Sequence, residues 1–163
     1  MWVAATVRHN TSARLGVTAM WFAWGEFWVA CLVGGMLFFP SVVAPVVFKA
    51  LPEEQAGAFL RVMFPRYYSF IIVLGVAACV SYALAESGAR GSVLAPTVGI
   101  SALVVASTLW VKQFLLPKIN AARDAEFAGD ASAGASFNTM HRLSVVINMV
   151  QLLALLAIAA KLI

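Results

Sequence analysis

The chain has 163 residues, of which 63% are hydrophobic and only 11% charged, with a formal net charge of +4. Soluble domains carry about 45–50% apolar and about 25% charged residues, and a chain this short cannot hide so large an apolar excess from water. A soluble globular domain is therefore excluded, and the class expected is a helical integral membrane protein. The positive excess is not a nucleic-acid footprint, because the basic residues stand at the ends of apolar runs, where they can reach lipid headgroups.

Arg8 and Arg14 precede an apolar run from Val17 to Phe48 that is broken only by Glu26. A cleaved signal has an apolar core of roughly 7–15 residues, so this run is expected to stay as a first helix. About 20 apolar residues cross the hydrocarbon layer, which places the first span at about residues 27–48. Gly34 and Gly35 would let a neighbouring helix come close, and Pro40 and Pro45 would kink the second half. In "LPEEQAGAFLRVMFP", Ala56, Phe59, Leu60, Met63 and Phe64 recur at helical spacing. This pattern predicts a short amphipathic helix on the membrane surface, ended or bent at Pro65.

Span two is expected at about 66–85, opening on Tyr67 and Tyr68 at headgroup level, and "ESGARGS" turns the chain. Span three is expected at about 93–116, closed by Lys112, Pro117 and Lys118; residues 119–136 read as a polar loop, and span four as about 143–163. The expected fold is a single all-α membrane domain over residues 1–163, an antiparallel four-helix bundle with a short interfacial helix between spans one and two. Alternation places Lys49, Arg61, Arg66, Lys112, Lys118, Arg123 and Arg142 on one face, and Arg8, Arg14, Arg90 and Lys161 on the other. The richer face belongs in the cytoplasm, giving both termini outside a bacterial inner membrane.

Within span four, His141, Ser144, Asn148 and Gln151 fall on one helical face about 80° wide. Lipid offers such groups no partner, so the stripe should face the bundle interior. It would act either as interhelical glue or as a polar pocket open to the loop face. Arg66, Tyr67 and Lys118 fall at the level of His141. The candidate cluster is therefore Arg66, Tyr67, His141, Ser144 and Asn148, suited to an anionic headgroup or a carboxylate ligand. Glu26, at the other end of span one, is a second ionisable candidate.

Cys31 and Cys79 lie at comparable depth and, with His141, are the metal-ligand candidates; thiolates favour Cu(I). No Cys-x-x-Cys, nucleophile triad, phosphate loop or acidic pair is present. The expectation is a protein without enzymatic activity and without a cofactor, working as an accessory or small-solute-handling component. The alternative is a haem- or metal-binding redox protein using His141. The expected partners are the lipid bilayer and further membrane proteins, including a second copy of the chain.

Taken together, "FWVACLVGGMLFF", "FKALPEEQAG", "MFPRYYSF", "LPKINAARD" and "FNTMHRLSVVINMVQLL" resemble the transmembrane protein 205-like family of small four-span membrane proteins. The resemblance spans about Trp21 to Leu156. Its most specific pieces are Phe64 to Tyr68 and His141 to Asn148; where the family usually has glycine after the histidine, this chain has Arg142. The resemblance implies the four-span architecture and one packed cluster of Phe64, Pro65, Tyr67, His141, Ser144 and Asn148. The eukaryotic namesake is associated with platinum-drug resistance and vesicular trafficking, and the resemblance implies no activity for bacterial relatives.

Overall fold

The computed structural model describes the backbone of residues 2–88 and 95–162, and the side chains of residues 14–87 and 96–162. The turn around Arg90 and the side chains of Arg8 and His9 lie outside the described residues. Among the described residues, four helical segments are long and apolar enough to cross a membrane: Arg14–Ala50, Glu53–Ser87, Pro96–Phe127 and Ala133–Ala159. The first comprises α1 (Trp2–Phe38), a wide π-type turn (Phe39–Val43) and α2 (Ala44–Ala50). The second is α3 (Glu53–Gly88). The third comprises α4 (Ala95–Trp110), a second π-type turn (Val111–Leu115) and α5 (Leu116–Phe127), and the fourth is α6 (Ala133–Ala159).

The four run antiparallel as a closed ring. α1 lies on α3, α3 on α4, α4 and α5 on α6, and α6 returns to α1. Contacts between spans one and two show the register: as numbers rise on one helix they fall on the other. Phe22 and Gly25 meet Tyr82, Gly35 meets Phe70, and Phe39 meets Phe64 and Tyr67. The core contains Leu32, Met36, Tyr68, Ile71, Val104, Val111 and Leu155, drawn from every span. Outward-facing Leu103, Val73, Phe114 and Val150 are exposed, as lipid-facing side chains should be.

Three expected boundaries differ from the structure. The amphipathic stretch before Pro65 is not a separate surface helix; it is the upright start of α3, which continues through Pro65. Proline removes one backbone donor, but leaving the helix in lipid would strand many more groups. Upright, this stretch also reaches α5: Arg61 meets Asp124 at 2.6 Å and Glu53 meets Arg123 at 2.7 Å. The polar loop is much shorter than residues 119–136, because "INAARDAEF" is rich in strong helix formers and stays helical. α5 stops at Gly129, whose φ of 100° suits glycine alone among common residues. The Gly129 and Asp130 amides close the helix end on the carbonyls of Glu126 and Ala125. Asp130 then accepts bonds from the Ser132 amide and hydroxyl, which hold its carboxyl below the usual aspartate range. Finally, span four begins ten residues earlier than its apolar run, at Ala133 rather than Leu143.

Candidate functional site

Spans one and three depart from a regular helix at one level of the bundle. In "FPSVVAP" the Ala44 amide bonds the Phe39 carbonyl, five residues back; in "VKQFLLP" the Leu116 amide bonds the Val111 carbonyl, also five back. Both wide turns run into a proline, Pro45 and Pro117. A proline ring clashes with the carbonyl four residues earlier, here that of Ser41 or Gln113, and cannot bond it. One extra residue in the turn moves that carbonyl aside. Span two carries a proline at the same level, Pro65, where α3 stays α-helical.

Aromatic and polar side chains gather at this level. The Phe39 ring stacks on Tyr67 at 4.7 Å and meets Phe64 at 5.4 Å, and Phe64 stacks on Tyr68 at 6.0 Å. Tyr68 is only 3% exposed and reaches across the bundle, where its hydroxyl faces Ser144 and Asn148 of α6. Ser144, itself buried, donates to the His141 carbonyl of its own helix at 2.7 Å. Asn148 Oδ1 is buried and has no hydrogen-bond partner among the described residues. One turn deeper, Gln151 is tied to α4: its Nε2 donates to the Ser107 and Thr108 hydroxyls at 2.7 and 3.1 Å.

Of the five cluster residues inferred from sequence, Ser144 and Asn148 therefore share one interior site, with Tyr67 on its aromatic wall. Arg66 is exposed and turns its guanidinium to the Val62 carbonyl at 2.8 Å. His141 is exposed too, its ring stacked on Phe137 at 5.8 Å. Tyr68 is the central residue that sequence reasoning passed over. Lys112, expected to close span three, sits in the second wide turn and donates to Ser69 Oγ at 2.7 Å. Ser69 in turn donates to the Pro65 carbonyl at 2.8 Å.

Cys31 and Cys79 are free thiols, and Cys79 Sγ is directed at the Val98 carbonyl on α4, 3.9 Å away. Among the described residues no three His, Cys, Asp or Glu side chains converge as a metal site would require. Beyond the layer, Arg123 ties three helices at the loop end. It meets Glu53 and Glu126, each at 2.7 Å, and lies over the rings of Phe127 and Phe137. At the opposite end Lys161 lies 3.3 Å from Glu26.

Four antiparallel apolar helices, with lipid-facing exteriors and charges clustered at the ends, define a helical integral membrane protein. The family model described as domain of unknown function DUF4149 matches residues 27–128, and the chain belongs to that family. The match runs from Phe27, within the first span, through spans two and three, and stops before α6, which carries Ser144 and Asn148. Comparisons with curated proteins and with solved structures return no match.

Proposed function

We propose that this protein is a non-enzymatic component of a bacterial inner membrane, which handles a small solute or serves a membrane partner through the layer of Tyr67, Tyr68, Ser144 and Asn148. The observation that carries this reading is the buried, unpaired Asn148 Oδ1. An unsatisfied buried acceptor costs about 1–3 kcal/mol, and leucine at the same position would avoid that cost. A hydroxyl, amide or ammonium group on a ligand would satisfy it. The resemblance to the transmembrane protein 205-like family supports Tyr67, Ser144 and Asn148 as members of this layer.

The test is Asn148→Leu in the purified protein and in cells. The expected result is a folded protein, melting close to wild type in detergent because losing the Tyr68 neighbour offsets losing the unpaired oxygen, that has lost its function in the cell. Collapse of the fold would return Asn148 to the role of interhelical glue. A Soret band in the visible spectrum of the purified wild-type protein would replace this reading with a haem protein ligated through His141. The seven basic residues at the loop end support a cytoplasmic position for that end. A reporter fused after Ile163 and active only in the cytoplasm would reverse the orientation.

A further inference from the structure

Lys112 is an ammonium in the wrong place for a boundary residue. By helix rise it lies about 9 Å deeper than Lys118. The side chains beside it on the outer face, Leu109, Trp110 and Phe114, are apolar and exposed. Because Cβ atoms lean toward the helix N-terminus, its side chain starts out pointing deeper still, since this span runs toward the loop end. It lies in the groove between α3 and α4, where Gly75 meets Val105 and Cys79 meets Val98 further in. The groove leaves Lys112 half-buried, not sealed.

Its electrostatic pairing is incomplete. Arg61, Arg123 and Lys161 each have a carboxylate within 4 Å; Arg66, Lys118 and Arg142 have none but are exposed, whereas half-buried Lys112 has only the neutral Ser69 hydroxyl among the described residues. An ammonium carries three donors, and Ser69 takes one. The other two face a groove whose rim is hydrocarbon, so an anion must arrive from the bilayer side with an apolar tail. Val73 and Val76 on α3 and Leu109 on α4 are exposed and continue the groove inward.

We propose that Lys112, held by Ser69, is a binding site for the phosphate of an anionic phospholipid, whose acyl chains run along Val73, Val76 and Leu109. The ammonium supplies charge and two hydrogen bonds. The Lys112–Ser69–Pro65 chain of hydrogen bonds fixes it in the groove. This site faces lipid on the α3–α4 side and is separate from the Asn148 layer, so either can fail without the other.

The test is native mass spectrometry of the full chain, released from bilayers of mixed phosphatidylglycerol and phosphatidylcholine. Wild type should retain phosphatidylglycerol, and Lys112→Gln should retain about fivefold less, the loss of one near-surface lysine. Lys112→Arg should retain it, and Arg142→Gln, which removes an exposed loop-end charge, should match wild type. Each variant is first melted in pure phosphatidylcholine, and only those melting with wild type are compared. If Lys112→Gln fails that screen, Ser69→Ala replaces it and should still show reduced retention. Equal losses in Lys112→Gln and Arg142→Gln would reduce the effect to general surface charge and overturn the site. Thermal protection by inorganic phosphate in phosphatidylcholine, equal to that by phosphatidylglycerol, would overturn the lipid assignment.

Discussion

Gly34 and Gly35 are adjacent, yet only one of them has to be small. A Cβ on Gly35 would stand 2.5 Å from the Phe70 ring, whereas one on Gly34 would meet nothing within 4 Å. Gly35→Leu should therefore destabilise by about 1–3 kcal/mol, the range for overpacking a filled contact. Gly34→Leu should leave the detergent melting temperature unchanged. Equal effects would mean that span one is turned differently against α3. The polar stripe of α6 divides in the same way. Gln151→Leu removes bonds to Ser107 and Thr108 and should cost about 0.6–1.7 kcal/mol, the span measured for interhelical bonds in membranes. Asn148→Leu removes the unpaired oxygen but also the amide beside the buried Tyr68 hydroxyl, so the two effects should offset to within about 1 kcal/mol. The stripe was legible from its spacing, but satisfied and unsatisfied members look alike in a sequence. Tyr68 was hidden for a related reason: Tyr67 and Tyr68 differ by 100° around the helix, and composition does not say which one faces the axis. The Lys112 partnership was invisible because Ser69 lies 43 residues away.

At the level of the helices, apolar composition located all four spans but misplaced their ends. Composition records where lipid begins, whereas helix ends are set by backbone chemistry. Residues 119–127 are polar enough to read as loop, but Ala, Arg and Glu favour helix and the stop signal is Gly129. Pro65 read as a breaker because in water it often is; inside lipid the helix has no better alternative. The extended ends carry the Arg123 hub. Arg123→Ala removes two partly exposed ion pairs and two ring contacts, each worth about 0–1 kcal/mol. The expected outcome is a loss of about 1–2 kcal/mol, weaker at high salt, read by thermal melting at two ionic strengths. A salt-independent loss would assign the effect to the ring contacts alone.

Across the whole molecule, the two ends have different characters. The loop end is stitched by Arg61, Arg123 and their carboxylates, while the far end has the single exposed pair of Glu26 and Lys161 among the described residues. On warming, amide exchange should therefore rise first at the C-terminal end of α6 and last around residues 116–127. The reverse order would show that the ion pairs contribute little to cohesion between helices.

The two wide turns have an evolutionary consequence. Each is a helix carrying one additional residue, kept in company with a proline six positions after its start. Removing Gln113 alone would drive the Pro117 ring back into a carbonyl. Because the wide turn absorbs that residue, the following segment would keep its facing, with Ile119 buried and Lys118 exposed, and the proline clash alone would remain. Residue and proline can be lost together more readily than either alone, so they should be inherited as one character. In related chains, single-residue gaps should fall at these two turns and coincide with replacement of the proline. Gaps scattered without regard to Pro45 and Pro117 would break that linkage.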